Sequence, residues 1–413
     1  MNTTPSGKSL LSYDWVISLI QQTLSARPTQ TTSLCTSLHR ILREPIHADR
    51  DLPPFNRATM DGFAIHSADY KPNHPYTVLT DLPAGEMPSK HINLSSGVIS
   101  IATGAAVPAT YDAVIPIESA TVHHDSVQFH TESITPFQNI HQRAADATSG
   151  QQIIPPNIQL SPHHLAIAAS VGHASLRTAK QPRISIFTTG NEVQSPDTET
   201  AVLQPMHIRN ANLPMLASLI STQACHLSHQ EHLPDHTEVM TEAILKASHT
   251  SDLIITAGSI SVGKHDHIAQ ILEKLGYNPV FQGLAVQPGK PTALFHNTDP
   301  HAHPPVLCLP GNPVSALAAF HLIAIPILNH LQSNPSPLPW QRVWSTESIT
   351  PNPKREMFRA VKFIGDTRDQ IQLIPWHTSG DIVHTALADG IIRVPLQQQS
   401  IPPGSPLPFL PIA

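Results

Sequence analysis

The sequence predicts a multidomain α/β plus β protein, with one parallel α/β domain and two small β domains. Three observations lead to this fold class. Strand-like apolar runs alternate with helix-like periods between residues 181 and 332, which is typical of a parallel sheet covered by helices. Short β-rich runs with frequent turns occupy residues 52–141 and 340–413. The 413 residues are enough for about three domains of ordinary size.

The first segment predicts a helical element. Apolar residues recur at helical spacing between residues 9 and 25, and a second short helix is predicted over residues 34–42. A third helix is predicted over residues 161–172, where a Ser-Pro pair opens it and a glycine can end it. The chain is therefore expected to return to the helical element after the first β-rich segment, which makes that β domain an insertion. The predicted N-terminal helical domain covers residues 1–51 together with 142–180, and the inserted β domain covers residues 52–141. The α/β domain is predicted over residues 181–332, and the C-terminal β domain over residues 340–413.

Three predicted strands in the α/β domain each run into a turn that contains a glycine. The strands cover residues 184–188, 253–256 and 306–309, and their turns contain Gly190, Gly258 and Gly311. The predicted helices cover residues 213–222, 238–247, 266–275 and 313–331. In parallel α/β sheets, ligands bind beyond the carboxyl ends of the strands. The three turns are therefore expected to line one crevice.

The composition excludes several classes of partner. With 24 Lys and Arg against 30 Asp and Glu, the net charge of −6 provides no footprint for nucleic acid or for an anionic membrane. No apolar run approaches the length of a membrane span, and the first residues lack the pattern of a signal peptide. The three cysteines have no disulfide or zinc spacing, which favours a cytoplasmic location. The 27 histidines form no metal-ligand pattern and are interpreted as compositional drift.

A turn at Pro310, Gly311 and Asn312 has the features of an anion-binding site. Asn312 is a favourable N-cap and Pro313 suits the first helical position, so free N–H groups are expected to face the turn. Phosphates and other oxyanions bind at such helix starts. A second glycine turn upstream carries Lys290, whose charge could pair with the same anion. Together the turns predict a phosphorylated ligand.

Two carboxylates follow strand-terminal glycine turns. Glu192 lies just beyond Gly190, and Asp266 lies beyond Gly258. Next to phosphate-binding turns, carboxylates indicate a hard divalent cation such as Mg²⁺ between them and the anion. The alternative interpretation makes Asp266 a favourable acid in a helix first turn and Glu192 a surface charge.

The inserted β domain contains two further candidates. Asp61 precedes Gly62 in a loop, and Thr103 lies in an Ala-Thr-Gly-Ala segment where its hydroxyl could contact an oxyanion. An Asp-Gly turn and a turn hydroxyl are the simpler alternatives.

These motifs, in this order, resemble the MoeA family of molybdopterin molybdenumtransferases, which includes the gephyrin E domain. The resemblance runs from about residue 10 to the C-terminus. The segments that carry it are Met60-Asp61-Gly62, Ala102-Thr103-Gly104-Ala105, Thr189-Gly190-Asn191-Glu192, Ser261-Val262-Gly263 with Asp266, Pro288-Gly289-Lys290-Pro291 and Pro310-Gly311-Asn312-Pro313-Val314-Ser315.

The resemblance implies an activity and an assembly. Proteins of this family insert molybdate into adenylylated molybdopterin with release of AMP, and they use Mg²⁺ or another divalent cation. They are elongated homodimers in which the cleft of the α/β domain lies against the β domain of the other subunit. The α/β domain of this chain is accordingly expected to be similar to the family's molybdopterin-binding domain.

The resemblance also implies site residues. Asp61, Asp146, Glu192 and Asp266 match catalytic positions, and Glu192 with Asp266 would hold the metal. The matching substrate-binding positions are Thr103, Asp235, Ser261, Gly263, Lys290, Pro310, Gly311, Asn312, Pro313, Ser315, Arg359 and Ser379.

The chain departs from the family pattern beside the expected ligand. Asn191 stands where an Asp is usual, Ser259 where the second of two glycines is usual, and Gln287 where a Lys is usual. Two further acidic segments read Ala144-Ala145-Asp146 and Asn210-Ala211-Asn212. Two charges are therefore missing beside the ligand, which weakens the site or shifts its ligand.

Three alternatives to the insertase remain open. A scaffold protein that keeps the fold and binds the pterin would show binding without turnover. An enzyme that adenylylates molybdopterin would consume ATP with the unadenylylated pterin. A histidine-rich metal buffer is the least favoured, since the histidine clusters lack ligand geometry.

Overall fold

The computed structural model describes residues 10–87, 97–259, 267–297, 303–334, 336–375, 378 and 380–412. The chain divides into two compact units. One comprises Glu44–Pro156 and Pro162–Ser175, and the other comprises the remaining described residues. The predicted N-terminal domain, over residues 1–51 with 142–180, is divided between these two units, and the division into four domains stays a prediction.

A six-stranded sheet lies at the centre of the larger unit, and it confirms the predicted parallel α/β fold. Its strands, in spatial order, are His226–Leu233, Arg183–Thr189, Leu253–Ala257, Val306–Leu309, Ala293–Asn297 and Tyr277–Gln282. The first four are parallel, and the last two are antiparallel to their neighbours. The three predicted strands are buried along almost their whole length, as expected for apolar runs covered by helices on both faces.

The register of the sheet aligns the ends of these three strands. Thr188 pairs with Ala257, and Ala257 pairs with Leu309. The chain then leaves all three strands at the same edge. The glycine turns that follow must therefore lie side by side.

Helices cover both faces of this sheet. They are Asn212–Ser221, Thr237–Ser248, His267–Lys274, Pro313–Ala319, a π-helical turn at Phe320–Ala324, and Ile325–Leu331. The last three form one continuous helix, and the π turn precedes Pro326, whose missing N–H interrupts the ordinary hydrogen-bond ladder. Within the described residues, only Pro313–Leu331 is long and apolar enough to cross a membrane, and 72% of its most apolar window is buried inside the protein.

The N-terminal helix Tyr13–Thr23 confirms the first predicted helix. Its Ser12 cap accepts a hydrogen bond from the Trp15 N–H. The helix predicted over residues 34–42 is wrong, since only a 3₁₀ turn at Leu34–Thr36 forms there. The rest of that segment pairs with other parts of the chain instead: the Leu42 N–H donates to the Ile158 carbonyl.

A buried ion pair fastens the chain after this helix to the sheet. Asp252, almost fully buried, accepts from the guanidinium groups of Arg27 at 3.1 Å and Arg183 at 2.9 Å. Its other oxygen accepts from the Arg183 backbone N–H at 2.9 Å. These bonds satisfy a carboxylate that would otherwise be costly to bury.

The C-terminal β domain is a closed sheet. Its strands, in spatial order, are Val286–Gln287, Glu356–Ile364, Gln370–Leu373, Gln341–Ser345, Pro406–Pro411 and Gly390–Val394, and the last also pairs with Glu356–Ile364. Val286–Gln287 leads into the Lys290 turn of the α/β domain. This pairing joins the two domains of the larger unit.

The smaller unit contains the inserted β domain. Its sheet runs in the order Ala113–Pro116, Gly62–Ile65, Val98–Ile101, Pro75–Leu82, Ser126–Phe129 and Ala120–His123. Short pairs join Arg57–Ala58 to Ile140–His141 and Ile46–His47 to Gln152–Ile154. Helix Pro162–Ser170 confirms the third predicted helix, and Gly172 follows with a φ of 83°.

A buried histidine makes the stability of the fold depend on pH. His321 lies in the π-helical turn with 7% of its surface exposed, and burial lowers its pKa from 6.5 to about 4. The unfolded chain therefore binds a proton between these pH values that the native protein does not. The free energy of unfolding should fall by up to about 3 kcal/mol from this group as the pH drops from 6.5 to 4.

We expect His321→Leu to remove most of that loss. Urea unfolding at pH 7 and pH 4.5 measures it, with His226→Gln, an exposed histidine of the same unit, as the control. An equal pH dependence in His321→Leu and wild type would show that this imidazole is not the titrating group.

Candidate active site

Three glycine turns meet at the carboxyl edge of the parallel sheet, as the sequence predicts. At Gly258 the approach leaves no room for a side chain. A Cβ on Gly258 would lie 2.6 Å from Thr189 Oγ1 and 2.7 Å from the Thr189 carbonyl oxygen. A Cβ on Gly311 would lie 3.4 Å from the Cα of Gly258. The backbone itself therefore forms the floor of the crevice.

The first cavity, of about 530 Å³, opens over these turns. Its charged and titratable lining residues are Glu192, Arg209, Asp235 and His267. The remaining lining residues are Thr188, Thr189, Gly190, Asn191, Val193, Ile208, Asn210, Ala211, Asn212, Ala257, Gly258, Ser259, Gly311, Asn312 and Pro313. Both signs of charge thus face one polar crevice, as binding of a metal and a phosphate together requires.

The Glu192 carboxylate lies over the first glycine turn. A Cβ on Gly190, whose φ is 135°, would lie 2.8 Å from Glu192 Oε2. The same turn is closed by the Ile208 N–H, which donates to the Glu192 carbonyl at 2.9 Å. The lack of a side chain at Gly190 therefore makes the space that this carboxylate occupies.

Asp235 forms hydrogen bonds with two of the turns and so connects them. Its Oδ2 accepts from the Asn191 N–H at 3.2 Å, and its own N–H donates to Asn191 Oδ1 at 3.1 Å. Its Oδ1 accepts from the Ser259 hydroxyl at 2.7 Å. Both oxygens are thus used inside the protein, which makes Asp235 a positioning residue between the turns.

Two departures from the family pattern belong to this network. Asn191 exchanges two hydrogen bonds with Asp235 without placing a second negative charge beside it. Ser259 has a φ of 45°, a left-handed conformation that favours glycine. Its hydroxyl accepts from Thr189 Oγ1 at 2.8 Å while it donates to Asp235, and these bonds offset the backbone strain.

A buried polar chain that sequence reasoning missed supports the same turns. Asn210 Nδ2 donates to Thr188 Oγ1 at 2.8 Å, and His232 bonds both to Thr188 Oγ1 and to the Gly190 carbonyl at 3.1 Å. Asn210 Oδ1 also accepts from the Leu213 N–H at the start of a helix. These residues come from strands and loops that are far apart in the sequence. The one sequence feature that could have predicted them is a polar residue at the end of a strand.

The Pro310 turn forms as predicted. Asn312 occupies the N-cap position, Pro313 the first helical position, and the Ala316 N–H donates to the Asn312 carbonyl at 2.9 Å. Asn212 Nδ2 donates to the Gly311 carbonyl at 2.7 Å and so holds the turn against the first cavity. This contact gives a structural role to Asn212, which belongs to the Asn210-Ala211-Asn212 segment that departs from the family pattern.

A second cavity, of about 610 Å³, lies on the other side of the same turn. It shares Gly311 and Asn312 with the first and is otherwise lined by Gln287, Pro288, Gly289, Lys290, Pro291, Pro310, Ser315, Arg355, Met357, Arg359 and Thr378. Three lining residues are cationic, and none of the described lining residues is acidic. Burial lowers the pKa of Arg359, and the carboxylate of Glu347 partly offsets that effect. The second cavity is therefore suited to an oxyanion.

Several predicted site residues lie outside the described residues. These are Ser261, Gly263, Asp266 and Ser379. The pairing of Glu192 with Asp266 consequently stays a prediction. Among the residues that the structure describes, no three His, Cys, Asp or Glu side chains come together as a metal site.

The remaining predicted residues belong to the smaller unit. The Asp61 carboxylate accepts from the Thr103 N–H at 2.6 Å, and this hydrogen bond lowers the pKa of Asp61. Asp146 Oδ1 lies 2.9 Å from His141 Nε2. The structure therefore brings Asp61 and Thr103 together, while Asp146 has a different partner.

We expect Gly258→Ala to destabilise the sheet edge through the clash with Thr189. Gly404→Ala is the matched control, because Gly404 also has a positive φ but would place its Cβ in open space. The control should cost about 1 kcal/mol of unfolding free energy from strain alone. Gly258→Ala should cost about 2–3 kcal/mol more, measured by urea unfolding. Equal costs would contradict the close approach.

Comparison with known proteins identifies the family. Residues 11–172 match the MoeA N-terminal region (domain I and II), and residues 185–330 match a probable molybdopterin binding domain. The chain is 32% identical over 308 residues to a molybdopterin molybdenumtransferase of Haemophilus influenzae, covering 74% of each chain. It is 28% identical to one from Synechocystis sp., covering 90% of this chain and 92% of that one. A MoeA structure from Pyrococcus horikoshii, 21% identical, shares the fold with a TM-score of 0.81 over 98% of this chain and 100% of that one. The chain belongs to the MoeA family of molybdopterin molybdenumtransferases, transferases of molybdenum cofactor biosynthesis.

Proposed function

We propose that this enzyme inserts molybdate into adenylylated molybdopterin and releases AMP, with Mg²⁺ or another divalent cation, as a homodimer. The observation that carries the proposal is the pair of cavities on either side of the Pro310 turn. The first cavity contains carboxylates together with Arg209, and the second contains cations and no described acid. This division suits a reaction between a ligand with a metal-bound phosphoanhydride and a free oxyanion.

The first cavity would take the phosphate end of the pterin nucleotide. The backbone N–H groups of the first turn after Pro313, which has none itself, favour a phosphate there. Arg209, which lines the same cavity, adds a cation. The Asp235 network holds the turns in place, so these groups are oriented before the ligand arrives.

The donor set of the first cavity fits a divalent cation. The Glu192 carboxylate lies at the turn, and carboxylate oxygens are the ligands that Mg²⁺ prefers. Glu192 would hold the ion together with Asp266, whereas both oxygens of Asp235 already accept hydrogen bonds. When bound, the cation would neutralise phosphate charge and polarise the phosphoanhydride for hydrolysis.

The second cavity would take molybdate. Lys290 and Arg359 supply charge, and Ser315 supplies a hydroxyl donor at the wall formed by Pro310 and Gly311. We include Ser261, Gly263 and Ser379 among the binding residues on the family resemblance. Asp61, Thr103 and Asp146 are proposed as functional residues on the same basis.

The departures do not by themselves favour a scaffold. Asn191 and Ser259 have become parts of one network that orients the cleft, and both face the ligand cavity. A cleft that binds the pterin needs an oriented ligand edge, with or without turnover. The network therefore supports retention of ligand binding, and turnover separates the insertase from the scaffold.

Purified protein with adenylylated molybdopterin, Mg²⁺ and molybdate should release AMP and form the molybdenum cofactor. Chromatography of the nucleotide and activation of a cofactor-free molybdoenzyme measure the two products. Pterin binding without AMP release would favour the scaffold instead. Consumption of ATP with unadenylylated molybdopterin would favour the adenylylating enzyme.

Glu192→Ala should lower metal-dependent AMP release about 100-fold at saturating Mg²⁺, because a ligand to the catalytic cation is lost. Glu199→Ala is the control, since it removes an exposed acid of the same loop that does not line the cavity. Activity of Glu192→Ala equal to that of Glu199→Ala would refute the metal role of Glu192.

A further inference from the structure

The family pattern expected from the sequence has a lysine at position 287, whereas Gln287 brings no charge to the second cavity. Gln287 lines that cavity, but its side chain is engaged. Its Oε1 accepts from Asn352 Nδ2 at 2.7 Å. A lysine could not make this contact, since an ammonium group has no acceptor. The glutamine thus forms a bond that the usual residue cannot.

Asn352 also forms hydrogen bonds with a turn of the C-terminal domain. Its Oδ1 accepts from the backbone N–H of Lys354 at 2.8 Å and of Arg355 at 3.2 Å. The turn over residues 352–355 is thereby fixed at its amide groups. Because one asparagine side chain bonds Gln287 with one atom and the turn with the other, the turn is oriented by position 287.

The strand after the turn is tied to the same segment. The Glu356 N–H donates to the Ala285 carbonyl at 2.9 Å, and Glu356–Met357 pairs in parallel with Val286–Gln287. Arg355 therefore lies between two points of attachment. Its backbone position relative to the Lys290 turn is set by the pairing on one side and by Asn352 on the other.

Arg355 lines the second cavity together with Lys290 and Arg359. It is half-buried, and within the described part of the chain its guanidinium makes no ion pair. The three cations come from two segments around one space, since Arg355 and Arg359 lie four residues apart and Lys290 belongs to a separate turn. A guanidinium can donate two parallel hydrogen bonds to a tetrahedral oxyanion, which a lysine cannot do.

We propose that Arg355 is an anion-binding residue of the second cavity, and that Gln287 is a positioning residue that acts on it through Asn352. The ligand is a doubly charged tetrahedral oxyanion. The identification of that oxyanion as molybdate rests on the proposed function. Arg355 thus supplies a third positive charge to a cavity in which position 287 is uncharged.

Molybdate binding to the full-length protein, measured by isothermal titration calorimetry, tests the role of Arg355. Arg355→Gln should weaken molybdate binding about 10- to 100-fold, as expected for the loss of charge-assisted hydrogen bonds. Arg342→Gln is the matched control, because Arg342 is an exposed arginine on a strand of the same domain and lines neither cavity. The control should bind molybdate within about twofold of wild type.

Gln287→Met tests the positioning role. This variant removes the acceptor for Asn352 while keeping the length of the side chain. It should weaken molybdate binding several-fold in the wild-type background but produce no further loss in the Arg355→Gln background. A purely structural defect would add to the loss in both backgrounds, so an additive result would overturn the positioning role.

The outcomes separate this inference from the proposed function. If wild type binds molybdate and releases AMP while Arg355→Gln binds like Arg342→Gln, the role of Arg355 is refuted and the function stands. If wild type neither binds molybdate nor releases AMP, both are refuted. Arg355→Lys keeps a charge but only single-point donors, so it should show a smaller, measurable loss of affinity; it replaces Arg355→Gln should that variant not fold.

Discussion

The candidate site depends on how closely the backbone turns at the carboxyl edge of the sheet approach one another. The parallel register brings Thr189, Ala257 and Leu309 to one edge, and at Gly258 the following turns leave no room for a side chain. Gly258 lies against both the Thr189 carbonyl and its hydroxyl oxygen. A floor of bare backbone leaves N–H groups and carbonyls as the surface of the crevice. Side chains from the rims then supply the charges, and this arrangement explains why carboxylates and cations are grouped around glycine turns.

Hydrogen bonds hold the walls of the crevice in place, and residues that depart from the family pattern take part in them. Asp235 bonds to Asn191 and Ser259, and Asn352 bonds to Gln287. At Ser259 and Gln287 the side chain makes a hydrogen bond that the usual residue could not make, and at Asn191 the amide oxygen accepts from Asp235 without a negative charge. A carboxylate at 191 would add charge repulsion beside Asp235, and a glycine at 259 would have no hydroxyl. The substitutions therefore form locally consistent contacts rather than isolated losses.

The sequence predicted those strands and helices that have a local pattern of apolar residues. It did not predict the segments whose structure is determined by pairing with distant parts of the chain. The buried strands 184–188, 253–256 and 306–309 were visible as apolar runs, whereas the edge strand His226–Leu233 alternates polar residues and has no such signal. The helix expected over residues 34–42 loses to backbone pairing with residues 158–160, which no local pattern reveals. In the site, the glycine turns were predictable from their motifs. Arg355 and His232 were not, because each reaches the site only through contacts with segments far away in the sequence.

The position of the Pro310 turn between two cavities separates two kinds of charge. On one side lie Glu192 and Asp235 with Arg209, and on the other lie Lys290, Arg355 and Arg359 without a described acid. A metal cation on the second side would be repelled by the guanidinium groups, and a free oxyanion on the first side would be repelled by the carboxylates. Each ligand is thus favoured in its own cavity and disfavoured in the other, while Gly311 and Asn312 line both cavities. For a transfer of metal oxyanion onto a phosphorylated ligand, this arrangement keeps the two reactants apart by charge and close in space, so that specificity and proximity come from the same turn.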